Sequence, residues 1–157
     1  MRHALAACGV GPGDRVAAQL PNMPEAVVAM LAAASLGAVW SSCSPDFGVQ
    51  GVLDRLGQIE PKVLFCADGY LYGGKSFDSQ DKVKEILRGL PTVERTVVLP
   101  YLGSAVTVGA SLEDFIAPYE AKPVAFVPVE FNHPLYILYS SGTTGVPASS
   151  YSWRSGS

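Results

Sequence analysis

Residues 140–145 read Ser140-Ser141-Gly142-Thr143-Thr144-Gly145, four hydroxyl side chains and two glycines in succession. Glycine leaves room for a backbone N–H to approach an anion, and serine and threonine add hydroxyl donors, so the segment has the composition of a phosphate cradle. A solvent-exposed turn draws on the same residues. The Walker A loop is excluded, because no Gly-Lys-Ser/Thr follows at its spacing. A second segment, Tyr72-Gly73-Gly74-Lys75, sets one cation beside two glycines. It suits either contact with an anion or a flexible hairpin carrying a solvated lysine.

Other chemistry finds little support. Gly9-Val10-Gly11-Pro12-Gly13 has the glycine density of a dinucleotide fingerprint, but it precedes a strand pattern, whereas the Rossmann turn follows a strand and opens a helix. Its expected role is to end the first helix and turn the chain. His3, His133 and the cysteines Cys8, Cys43 and Cys66 lack metal-ligand spacing, so no metal site is expected, and scattered, odd-numbered thiols suit a reducing cytoplasm. A formal charge of −3 without any Lys/Arg run argues against nucleic acid as a partner. Arg2 followed by Leu5-Ala6-Ala7-Cys8 resembles a lipoprotein cleavage site, yet such a signal needs an apolar region of about 7–15 residues before it. The longest apolar stretch, residues 26–40, falls short of the ~20 residues that span a bilayer and reads as a buried helix. No catalytic residue is assigned. Trp40 reads as core, Asp46 as a turn residue after Pro45, and His133 as the lead into a strand.

A phosphate cradle needs a framework that presents it. The chain has 157 residues, 48% of them apolar and 16% charged, which fits one globular domain with a substantial core. From residue 14 onward short β-rich runs alternate with amphipathic ones, the pattern of an α/β fold whose helices flank a mostly parallel sheet. Strands are predicted at 15–20, 38–42, 62–66, 96–99 and 135–139. Pro24 and Glu25 suit the first turn of a helix that stops at Gly37. Val52, Leu53, Leu56 and Ile59 mark a second helix ended by Pro61, and Val83, Ile86, Leu87 and Leu90 share one face of a third. Residues 68–78 are expected to be a loop. Ser111 with Asp114 three residues on predicts a capping box, opening a short helix that buries Leu112, Phe115 and Ile116. The proline-rich residues 121–134 read as a surface connection, after which a buried strand runs straight into the 140–145 segment. Residues 148–157 turn abruptly serine-rich and read as a disordered tail.

The run Tyr139-Ser140-Ser141-Gly142-Thr143-Thr144-Gly145-Val146-Pro147 closely resembles the phosphate-binding signature of the adenylate-forming, or AMP-binding, enzyme superfamily. The resemblance extends back through Ala32-Ala33-Ala34-Ser35-Leu36-Gly37-Ala38 to Gly13-Asp14-Arg15-Val16. Within the superfamily, Trp40-Ser41-Ser42-Cys43-Ser44-Pro45-Asp46-Phe47-Gly48, Gly51-Val52-Leu53-Asp54-Arg55-Leu56 and Gln58-Ile59-Glu60-Pro61-Lys62 resemble the acetoacetyl-CoA synthetase family. This implies that residues 1–147 form part of the large domain of such an enzyme. It also implies a reaction in two halves: ATP and acetoacetate give an acyl-adenylate and pyrophosphate, and the CoA thiol then displaces AMP. Mg²⁺ would accompany the nucleotide. By the same resemblance, Ser140, Ser141, Gly142, Thr143, Thr144 and Gly145 would hold the phosphates of ATP, and Tyr72, Gly73, Gly74 and Lys75 would face those of CoA. The implied partners are these small molecules; no nucleic acid or membrane is expected, and no protein partner can be inferred.

The chain also departs from the family. The motif continues after Pro147 with a lysine that contacts phosphate, and here that residue is Ala148. The adenine pocket, the ribose- and metal-binding acids and the C-terminal domain have no counterpart, so the chain is expected to be a fragment that is inactive alone. The abrupt change at Ala148 reads as a frameshift inside the motif or as a deliberate cut. Two further readings stay open: a ligase for another short acid such as acetate or propionate, and a stand-alone nucleotide- or anion-binding module.

Overall fold

In a computed structural model that describes residues 1–140, the alternation read in the sequence resolves into strands joined by helices. The first half runs α1 (Arg2–Ala7), β1 (Arg15–Gln19), α2 (Pro24–Ala34), β2 (Val39–Cys43), α3 (Val49–Leu56) and β3 (Val63–Ala67). There follow β4 (Gly69–Tyr72), β5 (Lys75–Asp78), α4 (Gln80–Arg88), β6 (Arg95–Leu99), β7 (Ala110–Ser111), α5 (Leu112–Ile116) and β8 (Tyr136–Ile137). One sheet has the order β7-β6-β3-β1-β2-β8, with every neighbouring pair parallel. The fold is therefore α/β with a parallel main sheet, as expected.

Strands covered on both faces need apolar residues at consecutive positions rather than alternate ones. Val63, Leu64, Phe65, Cys66 and Ala67 of β3 are accordingly all buried. Successive side chains point to opposite faces. Val16, Ala18, Trp40, Phe65 and Leu99 thus pack with Leu5, Ala29, Ala33 and Phe115 from α1, α2 and α5. Ala17, Leu64, Cys66 and Val98 meet Val52, Leu56, Val83 and Ile86 from α3 and α4. Trp40 is a core residue, as read: its ring lies 6.3 Å from that of Phe65, which meets Phe115 edge-on at 6.1 Å. At the α5 N-terminus, Asp114 N–H donates to Ser111 Oγ at 3.0 Å, and that hydroxyl donates to Asp114 Oδ2 at 2.7 Å. This is the predicted cap.

Three expectations need correction. The 68–78 loop is a two-stranded antiparallel hairpin, β4 against β5, in which Tyr70 stacks on Phe77 at 5.3 Å. The apolar stretch 26–40 is not one buried helix. Ala29, Ala32 and Ala33 of α2 face the core, while Val27, Val28 and Leu31 stay about half exposed, and residues from Val39 belong to β2. Small alanines let the helix lie close to the sheet, which turns the larger side chains outward. Finally, the buried strand over 135–139 shrinks to the two residues of β8 at the sheet edge, where Leu135, Tyr136 and Leu138 are exposed. Apolar character alone does not distinguish an edge strand from a central one. The 148–157 tail lies outside the described residues.

Candidate ligand cleft at the carboxyl edge of the sheet

Because the main strands are parallel, their carboxyl ends share one edge. The chain passes from β1 through α2 to β2, then crosses back past β1 through α3 to β3, so β1 has neighbours reached in opposite directions. Open α/β sheets bind ligands outside the carboxyl end of such a strand. A cleft of about 510 Å³ lies there. Leu20, Pro21 and Asn22 after β1 form its floor, Ser44, Pro45 and Asp46 after β2 form one wall, and Tyr70, Leu71 and Tyr72 of β4 form the other.

The second wall carries the Tyr72-Gly73-Gly74-Lys75 segment. Tyr72 pairs with Lys75, and Gly73 and Gly74 between them have φ of 56° and 75°. Positive φ at both central residues is the type I′ hairpin turn, which strongly prefers glycine. A Cβ at either position would meet nothing within 4 Å, so the turn itself accounts for both glycines and the tip stands open. Lys75 is exposed, and its ammonium makes no ion pair among the described residues.

The root of the hairpin is fixed by Asp68, which is fully buried. Its Oδ1 accepts from the backbone N–H of Tyr101 and Leu102, and its Oδ2 from that of Ser104, each at 2.8 Å. Burial raises the pKa of this carboxyl, but backbone donors from Leu102, Tyr101, Ser104 and Gly103 outweigh it and hold the group below its ordinary value. The next residue, Gly69, has no room for a Cβ, which would strike Leu102 and the Phe77 carbonyl.

The other predicted segment leaves the same edge from β8. Trp40 N–H donates to the Leu135 carbonyl at 3.1 Å and Ser41 Oγ to the Ile137 carbonyl at 3.0 Å, which set β8 beside β2. Tyr139 then donates its hydroxyl to the Arg55 carbonyl at 2.6 Å. Ser140, exposed, is the last described residue; Ser141, Gly142, Thr143, Thr144, Gly145 and Ala148 lie outside the described residues. Three strand spacings, roughly 14 Å, separate the ends of β3 and β8 at the root of the hairpin and of this loop.

Ser44, Pro45 and Asp46 are cleft residues that the sequence reading treated only as a turn. Their signal is topological, because the strand order that makes β1 the crossover point is not written in any local motif. Cys43 also lines the cleft, but burial pushes its thiol up to about 12, which leaves no thiolate for nucleophilic work near neutrality. His133 sets a ring nitrogen 2.7 Å from the Gly37 carbonyl, a structural contact away from the cleft. Among the described residues no group of three His, Cys, Asp or Glu side chains could hold a metal ion, and no helix is long and apolar enough to cross a membrane.

Known proteins give this geometry a context. The model of the AMP-binding enzyme family matches residues 1–148. The chain is 54% identical over 153 residues to the acetoacetyl-coenzyme A synthetase of Rhizobium meliloti (strain 1021), covering 94% of this chain and 23% of the relative. It is 47% identical over 154 residues to the acetoacetyl-CoA synthetase of Gallus gallus, covering 92% and 23%. Its fold superposes with a TM-score of 0.87 on the acetoacetyl-CoA synthetase from Streptomyces lividans, at 52% identity over 94% of this chain and 23% of that one. The chain thus spans less than a quarter of the length of these relatives. With the family model matching nearly its whole length and relatives close to half identical along the same stretch, the chain belongs to the AMP-binding enzyme family.

Proposed function

We propose that the chain is the part of an acetoacetate–CoA ligase that presents the phosphate loop and one side of the CoA site. The complete enzyme would convert ATP, acetoacetate and CoA into acetoacetyl-CoA, AMP and pyrophosphate through an acyl-adenylate. The observation that carries this reading is the 54% identity over 153 residues, which includes both the cleft and the loop segment. Acetate or propionate as the acid, and a stand-alone anion-binding module, have no comparable support.

In this reading Ser140, Ser141, Gly142, Thr143, Thr144 and Gly145 hold the ATP phosphates, where hydroxyl and backbone donors stabilise the charge that develops on pyrophosphate. AMP is a better leaving group than the oxygen of a free carboxylate, which is what adenylation accomplishes. The hairpin tip suits the phosphates of CoA, because it is open around Gly73 and Gly74 and offers the exposed Lys75 ammonium. Tyr72 lines the cleft beside it. The described residues supply no cluster of acids for Mg²⁺, so its ligands would be the nucleotide phosphates and groups elsewhere in the enzyme. Residues 1–147 would belong to the large domain and 148–157 would lie outside it. ATP and CoA as ligands, together with buried free thiols at Cys43 and Cys66, favour the cytoplasm.

Catalysis needs groups brought together from several strands, and this chain matches only 23% of its relatives' length. The exposed Val27, Val28, Leu31 and Leu138 are consistent with surfaces that further chain would cover. Purified chain mixed with ATP, Mg²⁺, acetoacetate and CoA is therefore expected to form no acetoacetyl-CoA, while CoA alone gives a binding isotherm by calorimetry. Turnover near that of an intact synthetase would contradict the first expectation, and a flat isotherm the second.

A further inference from the structure

We propose that Lys82 is a positioning residue for the cleft, a clamp that holds its Pro45 wall against its Tyr70 wall. Lys82 lies in the first turn of α4, the helix that follows the hairpin. The ammonium donates to the carbonyl of Pro45 and, at 3.3 Å, to that of Phe47. It also sits 5.0 Å from the centre of the Tyr70 ring, within the range of a cation–π contact. Both walls therefore meet at one charged group.

Each contact is braced from behind. Tyr70 stacks on Phe77 across the hairpin at an interplanar angle of 17°. The Phe47 carbonyl accepts a second hydrogen bond from Gln19 Nε2 at 3.4 Å, and the Phe47 ring is covered by the Arg55 guanidinium at 4.4 Å. An ammonium has three donors and no acceptor, so two carbonyls and a π face together use its bonding capacity. Its placement is otherwise unfavourable. The N-terminal turn of a helix repels a cation, and partial burial lowers the Lys82 pKa, with Asp46 opposing that shift. The contacts to the two walls offset both costs. Asp46 follows Pro45 and Tyr72 follows Tyr70 in the lining of the cleft, so the clamp bears on the placement of both.

The proposal rests on the reading of the cleft as the CoA side, and the test separates the two. Lys82→Met and Lys82→Arg are made in the 157-residue chain and compared by amide hydrogen exchange and by calorimetric titration with CoA. Lys82→Met is expected to speed exchange about tenfold at residues 44–47 and 70–77, to leave β6 unchanged, and to weaken CoA about tenfold. Lys82→Arg, which keeps donors and a cation, is expected to restore most of both. Unchanged exchange in Lys82→Met overturns the proposal, as does loss of protection throughout the sheet or undiminished CoA affinity. A local rise in exchange in a chain whose wild type binds no CoA supports the clamp and removes the CoA reading instead.

Discussion

Tyr139 donates its hydroxyl to the Arg55 carbonyl at 2.6 Å, so the residue that leads into the 140–145 segment is tied to the last turn of α3 as well as to the sheet. Among the described residues β8 has two residues and pairs with β2, and this bond adds a side-chain tie between Tyr139 and α3. Burial pushes the phenol up to about 12, so it remains a donor across the physiological range. Tyr139→Phe is expected to cost about 1 kcal/mol, the usual net worth of such a bond. Urea unfolding should show a lower midpoint with an unchanged slope.

Asp68 gives a pH-dependent prediction. Its folded pKa lies below the ordinary 3.8, so its contribution is complete above that value and is lost as pH falls through the lower folded one. Asp68→Asn replaces a charged acceptor of three backbone N–H groups and should cost about 2 kcal/mol at pH 7. The gap between wild type and variant should shrink as the pH drops below 3.8. Urea midpoints measured at pH 7 and at pH 3 check both statements.

At the hairpin tip, structure and ligand contact can be separated. Gly74→Ala forces a Cβ into positive φ and should destabilise the turn by about 1 kcal/mol. Lys75→Ala should leave stability unchanged, since the side chain is exposed, yet weaken CoA roughly five- to tenfold, with the difference fading in high salt. Calorimetry at two ionic strengths reads the second effect. An unchanged CoA affinity in Lys75→Ala would make the hairpin structural only.

The three thiols should differ sharply. Burial pushes Cys43 and Cys66 up to about 12, so at pH 8 only about one part in ten thousand of either is thiolate. Native chain treated with iodoacetamide at pH 8 is expected to be labelled at half-buried Cys8 and spared at the other two. Peptide mass spectrometry shows which sites react.

Periodicity and punctuation made much of the fold legible. Pro24, Pro61 and the Ser111–Asp114 cap placed helix boundaries within a few residues, because each acts through local backbone geometry. A hairpin at Tyr72–Lys75 was one reading of the sequence, but its two paired strands were not legible, because Gly69-Tyr70-Leu71-Tyr72 lacks an alternating polar face and the pairing is set by the Gly73-Gly74 turn and by Asp68 beneath it. The exposure of Leu135 and Leu138 could not be read either, since burial at a sheet edge depends on what lies beyond it. The 140–145 and 72–75 segments stand out in the sequence as candidate anion-contact motifs. The cleft that Asp46 and Tyr72 both line does not, because it follows from strand order.

The most direct test of the account replaces the matching segment of the Rhizobium meliloti acetoacetyl-coenzyme A synthetase with residues 1–147 of this chain. The relative's own sequence then continues after Pro147, and acetoacetyl-CoA formation is measured with acetoacetate, acetate and propionate in turn. The account predicts a folded enzyme that retains activity with a preference for acetoacetate. A folded, monodisperse graft that binds neither ATP nor CoA and activates none of the three acids would contradict it.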